Sequence, residues 1–557
     1  MKLCGAKILL ETLIEQGVDT IFGYPGGQVL NIYDELYNYS DKIKHVLSAH
    51  EQGAAHAAEG YARSTGKTGV VLATSGPGAT NLVTGIADAY LDSVPLVAIT
   101  GNVPCSLIGR DSFQEVDIVG ITLPVTKHNF IVKDVTQLAD TVREAFKIAQ
   151  SGRPGPVLID IPKDVQINET EFENKPVADT SFKGAANDDD VTRVIEMIND
   201  SARPFIYCGG GVISADAVAE LTEFAKLIDS PVGFSLMGLS AMPSDCENAL
   251  GMVGMHGHFA STKAKSEADL ILALGVRFSD RATGDKSKYQ KHSDIIHIDV
   301  DNAEIDKNIT STIGINCDVK TFLNALFARK NEIKQVNRTQ WRGRVAELQK
   351  YEHDNAAKPL GEALTPYSVI DAVAKYTDSD MPIATDVGQH QMWVAQRYPF
   401  KKQRTFITSG GLGTMGFGMG AAIGACIATG KRTVLFTGDG SFGMNLNELA
   451  TAVSQNIPLV IVIMNNNVLG MVRQWQTMFY NRHYSSTTLD RKTDFVKLAE
   501  AFGAKGLRAD SDSTLDEALK TAFSYEGTTV IDCLINSDER VLPMIPPGGA
   551  VSDLILK

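Results

Sequence analysis

The residues with the clearest chemical potential follow two apolar runs late in the chain. Gly438-Asp439-Gly440-Ser441 ends the first run, and Asn465 to Asn467 ends the second. Carboxylate and amide oxygens are the hard ligands that Mg²⁺ prefers, and such an ion can carry the phosphates of a ligand. The pattern therefore predicts a metal and diphosphate site. A tight turn after the first run and an Asx turn after the second are the plain structural alternatives.

Two strands and a crossover helix must bring these groups together. The run 459–464 is apolar throughout and the run 433–437 is apolar between its terminal threonines, which is typical of parallel strands buried on both faces. Residues 445–455 between them have a helical pattern. Both polar groups then lie at the carboxyl edge of one sheet, where doubly wound sheets bind ligands.

Glu51 is a second candidate, because it stands at the start of a predicted helix in the segment 45–63. A carboxylate there can serve catalysis, although the helix dipole favours it for purely structural reasons. His50 and His56 are six positions apart and so do not share a helix face, and we interpret both as structural. Cys208 to Gly211 follows a predicted strand and could approach a dinucleotide pyrophosphate, although it lacks the full GxGxxG pattern.

Composition narrows the functional class. The chain has 557 residues and a net charge of −14, which disfavours binding to nucleic acids or acidic membranes. Its seven cysteines are scattered without a paired spacing, so we expect neither a zinc site nor disulfides, and a cytoplasmic location. Residues 1–17 are predicted to form an amphipathic helix, and no apolar run approaches the ~20 residues of a membrane span.

Short β-branched runs alternate with helical patterns in three blocks, which predicts three α/β domains with doubly wound parallel sheets. The domains are predicted at 1–167, 191–328 and 363–540. Polar linkers without strands are predicted at 168–190 and 329–362, the second with a helical stretch around Trp341 to Tyr351. Residues 541–557 are interpreted as a tail that could act as a lid.

Longer motifs carry a family resemblance that covers essentially the whole chain. HEQGAAHAAEGYAR, TSGPGATN, GDGSF and NNNVLGMVRQWQ resemble the cofactor-binding motifs of thiamin diphosphate enzymes. Three motifs of the second block resemble the FAD-binding middle domain of acetohydroxyacid synthase, also called acetolactate synthase: GMHGH, GVRFSDRATG and HIDVD. Four motifs elsewhere in the chain resemble the same family: FQEVDIVGIT, IPKDV, GGLGTMGFG and LPMIPPGGA. Gly420 replaces a usual proline, which is expected to alter only a helix start, and Ser279 replaces an acidic residue near the FAD contacts.

The resemblance implies a role for each matching residue. Glu51 would hydrogen-bond the pyrimidine ring and so assist formation of the ylide. For Met415 the plain alternative is core packing.

The implied catalytic residues are Glu51, Gln114 and Lys163, the substrate residues are Phe113, Arg281 and Trp475, and the metal ligands are Asp439, Asn466 and the carbonyl of Val468. The implied thiamin diphosphate contacts are Gly27, Glu51, Gln389, His390, Gly413, Met415, Gly438, Asp439, Gly440, Ser441, Asn466, Val468, Gly470 and Met471. The implied FAD contacts are Arg153, Gly209, Gly210, Gly211, Ser235, Leu236, Met255, His256, Gly257, Val276, Arg277, Asp299 and Asp318.

The implied reaction is the decarboxylation of pyruvate and the transfer of the hydroxyethyl carbanion to pyruvate or 2-ketobutyrate. The products would be 2-acetolactate or 2-aceto-2-hydroxybutyrate, in valine, leucine and isoleucine biosynthesis. The implied cofactors are thiamin diphosphate, Mg²⁺ and FAD, and the implied partners are a second copy of the chain and a regulatory small subunit. A pyruvate oxidase-type enzyme, which passes electrons to flavin, is the nearest alternative, and a non-catalytic homologue is a more distant one.

Overall fold

A computed structural model describes residues 1–177, 184, 186–289, 292–358, 360 and 364–557. Residues 178–183, 185, 359 and 361–363 fall on the predicted linkers and the first position of the third domain, and they lie outside the described residues, as do 290 and 291.

The strands are β1 (Lys2–Cys4), β2 (Thr20–Tyr24), β3 (Lys44–Leu47), β4 (Gly69–Ala73), β5 (Leu96–Asn102), β6 (His128–Ile131), β7 (Pro156–Pro162), β8 (Glu169–Glu171), β9 (Pro204–Cys208), β10 (Val232–Phe234), β11 (Ala249–Met252), β12 (Leu270–Leu274), β13 (Asp294–Asp299), β14 (Ile313–Asn316), β15 (Ile383–Thr385), β16 (Phe406–Ile407), β17 (Thr433–Gly438), β18 (Leu459–Asn465), β19 (Lys505–Ala509) and β20 (Thr529–Leu534).

The α-helices are α1 (Gly5–Glu15), α2 (Leu30–Asn38), α3 (Glu51–Thr65), α4 (Pro77–Asn81), α5 (Val83–Asp92), α6 (Ile118–Thr122), α7 (Leu138–Gln150), α8 (Lys163–Ile167), α9 (Asp188–Asp200), α10 (Gly210–Ser214), α11 (Val218–Leu227), α12 (Phe259–Glu267), α13 (Asp280–Thr283), α14 (Val319–Ala328), α15 (Thr339–Asn355), α16 (Pro366–Ala374), α17 (Gln389–Arg397), α18 (Phe417–Thr429), α19 (Asp439–Asn445), α20 (Glu448–Ser454), α21 (Gly470–Phe479), α22 (Phe495–Ala501) and α23 (Asp512–Ser524).

Three six-stranded sheets form the framework. Their strand orders are β3-β2-β4-β5-β7-β6, β11-β10-β9-β12-β13-β14 and β16-β15-β17-β18-β20-β19. Neighbouring strands are parallel throughout these sheets. Their central strands are buried on both faces, as β18 illustrates, because helices cover each sheet. The predicted fold of three doubly wound α/β sheets is confirmed.

Three local predictions are wrong. Residues 2–4 form β1 instead of the start of a helix, and β1 pairs antiparallel with β8 inside the predicted strand-free linker 168–190. Both segments are short and partly polar, so only their mutual pairing in the folded chain makes them strands. The single crossover helix predicted at 445–455 is instead the end of α19 followed by α20.

Helices α3 and α18 join the first domain to the third. Each follows the second strand of its sheet in chain order and precedes the third. A Cβ at Gly60 would lie 2.0 Å from the carbonyl oxygen of Ala421, and one at Gly424 would lie 1.8 Å from that of Ala57. Glycine therefore permits direct backbone contact between the helices. Gly420 takes part as well, since its Cβ would lie 2.5 Å from the carbonyl oxygen of Gly53, so its effect is not confined to a helix start.

Among the described residues, no helix is both long and apolar enough to cross a membrane.

Candidate active site

The first group of candidate residues lies at the carboxyl edge of the N-terminal sheet, between β2 and β4. Here the chain leaves neighbouring strands toward opposite faces, which opens a crevice. Asn81 donates from Nδ2 to Oε2 of Glu51 at 3.0 Å. A Cβ at Gly78 would lie 3.2 Å from Oε1 of Glu51, so the glycine turn keeps space beside this carboxylate. The sequence predicted no role for Asn81, although Asn81 is the last residue of the TSGPGATN motif.

The other candidates of this domain lie at the same edge. Lys163 donates from Nζ to the carbonyl of Gly27 at 3.3 Å. Gln114 has a positive φ of 57°, and its backbone packs on Gly76, where a Cβ would lie 2.9 Å from the Gln114 carbonyl oxygen. The side chain of Phe113 is 84% exposed. These residues are separate from the large cavity described below.

The second group lies at the carboxyl edge of the C-terminal sheet, where Asp439 follows β17 and Asn466 follows its neighbour β18. Asp439 and Asn466 are 6% and 7% exposed, and the backbone N–H of Asn466 donates to the Asp439 carboxylate. Burial raises the pKa of Asp439 to about 6. Val468 donates from its backbone N–H to Oδ1 of Asn466 at 3.2 Å. The three predicted metal ligands are therefore neighbours, and a cation would relieve the desolvated carboxylate.

His390 faces this edge from the start of α17. A Cβ at Gly438 would lie 3.1 Å from Nδ1 of His390, so glycine allows the ring to approach the strand end. Burial lowers the pKa of His390 to about 3, which keeps the imidazole neutral. Its Nε2 is buried and has no hydrogen-bond partner among the described residues. An unsatisfied polar atom beside a glycine turn fits a diphosphate site.

Two predicted cofactor contacts, Gln389 and Ser441, also make supporting hydrogen bonds within the protein. Gln389 donates from Nε2 to Gln474 at 3.0 Å and to the carbonyl of Glu539 at 2.8 Å, and its Oε1 accepts from Asn466 Nδ2 at 3.4 Å. Gly470 makes room for this amide, because its Cβ would lie 2.0 Å from Gln389 Oε1. Gln389 thus orients a predicted metal ligand. Ser441 donates to the carbonyl of Val387 at 2.8 Å and links the two loops.

Asp386 is a buried residue that the sequence interpretation missed. Its carboxylate accepts from the backbone N–H of Gly416 at 2.8 Å and of Val387 at 3.0 Å. Burial raises its pKa to about 6. Asp386 therefore ties the loop after β15 to the residue that follows Met415. The available signal was an aspartate directly after an apolar strand and before a glycine.

A cavity of about 1430 Å³ lies between the three domains. This volume exceeds the range of roughly 300 to 1,000 Å³ that drug-sized ligands occupy, so it suits a dinucleotide. The central sheet has the order 3-2-1-4-5-6 that is typical of dinucleotide-binding domains. The predicted FAD contacts that line the cavity are Arg153, Gly210, Gly211, Ser235, Leu236, Met255, His256, Val276, Arg277, Asp299 and Asp318.

Two predicted FAD contacts lie behind the cavity wall. A Cβ at Gly209 would lie 1.9 Å from the carbonyl oxygen of Gly275, and one at Gly257 would lie 2.5 Å from that of Met252. These glycines allow close packing of neighbouring loops, which a sequence pattern cannot distinguish from contact with a ligand. Ser279, which replaces the acidic residue of the related motif, lines the cavity itself.

The charges of this cavity match a dinucleotide. Burial lowers the pKa of Arg277, although its guanidinium remains the natural partner of a diphosphate. Burial raises the pKa of Asp299 to about 6, and this carboxylate, at the end of β13, accepts from the N–H of Asp301 at 2.9 Å. A carboxylate at a strand end can accept from a ribose hydroxyl. The residues present therefore fit FAD.

Two of the three predicted substrate residues, Arg281 and Trp475, lie at another wall of the same cavity. Met471 and Trp475 lie one turn apart on α21 and both line it, together with Met415, Gly413 and Arg281. The indole Nε1 of Trp475 is buried and has no hydrogen-bond partner among the described residues. The Arg281 side chain is 64% exposed. A guanidinium and an indole N–H can receive a carboxylate or a carbonyl oxygen.

Three family models match the chain in succession. They are the N-terminal TPP binding domain, the central domain and the C-terminal TPP binding domain of thiamine pyrophosphate enzymes, over residues 3–121, 191–326 and 386–533. The chain is 43% identical to the acetolactate synthase isozyme 1 large subunit of Escherichia coli K12, covering 100% of this chain and 98% of that one. The chain belongs to the acetolactate synthase large subunits.

Two further relatives extend the family across kingdoms. The acetolactate synthase large subunit of Lactococcus lactis is 44% identical over 99% of this chain and 96% of its own length. The chloroplastic acetolactate synthase of Arabidopsis thaliana is 43% identical over 99% of this chain and 84% of its own length. Membership of the acetolactate synthases confirms the predicted enzyme class. It also confirms the predicted cofactor, because thiamin diphosphate is another name for thiamine pyrophosphate. The pyruvate oxidase-type alternative is not favoured.

Proposed function

We propose that this acetolactate synthase decarboxylates pyruvate and joins the remaining two-carbon unit to pyruvate or 2-ketobutyrate, in the synthesis of valine, leucine and isoleucine. The observation that carries this proposal is the single cavity that Met415 and Gly413 share with Arg281 and Trp475. A carboxylate-binding cation beside the cofactor loop suits an acceptor keto acid. An enzyme that only protonates or oxidises its intermediate binds no second keto acid.

The C-terminal edge would hold the diphosphate and its Mg²⁺. When bound, thiamin diphosphate supplies the carbon nucleophile and the electron sink for decarboxylation. Asp439, Asn466 and the Val468 carbonyl would coordinate the metal. The desolvated Asp439 carboxylate and the unpartnered His390 Nε2 support this assignment. Gly438, Gly440 and Ser441 would let the backbone approach the phosphates.

Glu51 would hold the proton that the reaction moves. The hydrogen bond that it accepts from Asn81 ends on Oε2, and the glycine turn leaves room beside Oε1. A carboxyl proton on Oε1 could pass to and from a ring nitrogen of the cofactor. Asn81 would fix the orientation of the carboxylate during the transfer.

The cavity wall would select the acceptor. Arg281 would bind its carboxylate, and Trp475 would contact the rest of the molecule, while Met415 and Met471 exclude water from the reacting carbon. FAD would lie along the central-domain wall, with Arg277 on its phosphates and Asp299 on a ribose. Because the net reaction transfers no electrons, these residues need only hold the flavin.

The site would be completed by a second copy of the chain. Glu51, Gln114 and Lys163 are separate from the cavity that Met415 and Trp475 line, and Phe113 next to them is 84% exposed. A partner's N-terminal edge facing this chain's C-terminal edge would bury that aromatic side chain. A regulatory small subunit is proposed as a further partner, since several relatives are named large subunits. The cytoplasm is the proposed compartment, because all seven cysteines are free.

The activity is tested by incubating the purified chain with pyruvate, thiamin diphosphate, Mg²⁺ and FAD. Acetolactate should form in proportion to carbon dioxide, without consumption of oxygen or a quinone. Redox turnover without acetolactate would refute the proposal in favour of the oxidase type. Mixed pyruvate and 2-ketobutyrate would then give the acceptor preference.

The shared site is tested by co-expressing Glu51→Gln and Asp439→Asn chains. If each site uses one residue from each chain, a mixed dimer keeps one intact site, and about a quarter of the unmodified activity should return under random pairing. At a cofactor concentration that just saturates the unmodified chain, each variant alone should have far less activity than this. Inactivity of the mixture, with mixed dimers verified by differential tags, would refute a shared site.

A further inference from the structure

The segment 409–415 brings Gly413 and Met415 to the cavity without regular secondary structure. It follows β16 and precedes α18, and Gly411 to Gly413 are exposed. Among the described residues, no backbone group of another segment hydrogen-bonds to Gly410 through Gly413. A loop without backbone partners has many accessible conformations, so side chains must set its position.

Asp92 provides this restraint from the N-terminal domain, at the end of α5. Its Oδ2 accepts from the N–H of Gly410 at 2.8 Å, and its Oδ1 accepts from the N–H of Gly411 at 2.7 Å. A Cβ at Gly411 would lie 2.9 Å from Oδ1, so glycine is needed for this approach. The same carboxylate lines the cavity.

Arg63 and Asp88 reinforce the contact. Arg63 is 8% exposed and donates from Nη2 to Asp92 at 2.9 Å and to Asp88 at 3.2 Å. Asp88 in turn accepts from Thr414 Oγ1 at 2.9 Å and from the hydroxyl of Ser409. The segment is thus held along its length by two carboxylates that share one buried guanidinium. Hydrogen bonds of this kind to ionised groups are roughly twice as strong as neutral ones.

The end of α5 also contacts a residue on the side of the cavity where FAD is predicted to bind. Ser93, the neighbour of Asp92, has a positive φ of 60° and accepts at Oγ from Arg153 Nε at 2.7 Å. Arg153 lines the cavity and also forms an ion pair with Glu304 at 2.7 Å. One turn therefore connects a predicted flavin contact with the segment that presents Met415.

We propose that Asp92 is a positioning residue for thiamin diphosphate, which sets the place of Gly413 and Met415 through the amides of Gly410 and Gly411. Asp92 need not touch the cofactor. Without its charge, the segment samples positions in which Met415 no longer contacts the bound cofactor, so binding weakens. The inference rests on the thiamin site proposed above.

The test compares Asp92→Asn with Glu15→Gln. Glu15 is a matched control because its side chain is 5% exposed, is held by Arg143 at 2.7 Å and accepts from the N–H of Lys175 at 2.9 Å, all away from the cavity. Cofactor-free protein is titrated with thiamin diphosphate and Mg²⁺ while tryptophan fluorescence is followed. We expect the half-saturating concentration to rise about tenfold in Asp92→Asn, the loss of one charge-assisted hydrogen bond, and to stay unchanged in Glu15→Gln.

Further readouts separate positioning from general damage. The Tm of cofactor-free Asp92→Asn should change no more than that of Glu15→Gln, and saturating cofactor should restore much of kcat. Thr414→Val removes one donor to Asp88 and leaves every carboxylate in place, so it should raise the half-saturating concentration by a smaller factor. It decides the question if Asp92→Asn does not fold.

If Asp92→Asn and Glu15→Gln have the same half-saturating concentration of thiamin diphosphate, this inference alone is overturned. If Asp92→Asn does not fold, the same conclusion follows when Thr414→Val and Glu15→Gln have the same half-saturating concentration. Absence of thiamin diphosphate-dependent acetolactate formation in the unmodified chain would overturn the proposed function and this inference together.

Discussion

The N-terminal and C-terminal sheets have the same architecture. In both, the strands numbered by order in the chain lie as 2-1-3-4-6-5 across the sheet. Both also join the fourth and sixth strands by an amide and a carboxylate. Asn102 donates to Asp160 at 2.6 Å in the first sheet, and Asn465 donates to Asp532 at 2.9 Å in the second.

The two edges differ in what they present to a ligand. The N-terminal edge offers the partly exposed Glu51, and Asp160 has the neutral Thr100 as its second donor at 2.7 Å. The C-terminal edge buries Asp439, and Asp532 pairs with Arg508 at 3.2 Å. The topology therefore decides where a ligand can bind, and the side chains decide whether that place serves proton transfer or ion binding.

The largest expected effect tests the proton-transfer edge. Glu51→Gln keeps the shape and the pairing with Asn81 but removes the ionisable oxygen, so acetolactate formation should fall roughly 10²- to 10⁴-fold. The half-saturating concentration of thiamin diphosphate should change little. Steady-state assays with saturating cofactor measure the effect, and retention of a tenth or more of the activity would contradict the assigned role.

A change at the C-terminal edge should affect the affinity for cofactors more than the rate at saturating cofactor. Asp439→Asn removes the negative charge of a predicted metal ligand and keeps a neutral oxygen, so the half-saturating concentrations of Mg²⁺ and thiamin diphosphate should rise roughly 100-fold, the upper end of what even outer-shell changes produce. Excess cofactor should recover part of kcat, which it cannot do for Glu51→Gln. Titration of activity measures this split, with the surface variant Asp371→Asn as control. An unchanged cofactor requirement would remove Asp439 from the metal site.

The contact between α3 and α18, which joins the first domain to the third, can be disturbed by a single substitution. Gly424→Ala places a Cβ against the backbone of α3, and such overpacking costs about 1 to 3 kcal/mol. Gly343→Ala in α15 is the control, because its Cβ would meet nothing within 4 Å, and the change should stabilise by about 0.5 to 1 kcal/mol. Chemical denaturation of both variants measures the contrast. Equal stability would mean that the helix contact is not tight.

The smallest expected effect is the pH dependence of stability that comes from Asp160, the carboxylate of the N-terminal Asn–Asp pair. Burial raises the pKa of Asp160 from 3.8 to about 6, so the folded protein favours the protonated carboxyl. The resulting stability is fully present below pH 3.8 and is lost as pH rises through 6. Between pH 5 and pH 7 the loss should be about 1 kcal/mol, and Asp160→Asn should remove it. Denaturation at both pH values tests this, and an identical pH slope in both proteins would contradict it.

Much of the fold was predictable because apolar runs and helical periodicity are local signals. The predicted strands at 433–437 and 459–464 lie in β17 and β18, and α3 begins at Glu51 as predicted. The pairing of β1 with β8 was missed, because a polar strand that forms only by long-range pairing has no local signature. The glycines were ambiguous, since Gly209 and Gly210 follow the same strand and only one of them lines the cavity.

The sequence by itself determined the family, the three sheets and the residue types at their edges, because strand pattern and short motifs are read along the chain. Only the tertiary structure decided which of these residues share a space. It separates Glu51 from the cavity of Met415 and Trp475, and it brings Asp92 within 2.8 Å of Gly410, more than 300 positions away. The physical reason is that charge and hydrogen bonding act through distance in space, and the packing of α3 on α18 sets that distance.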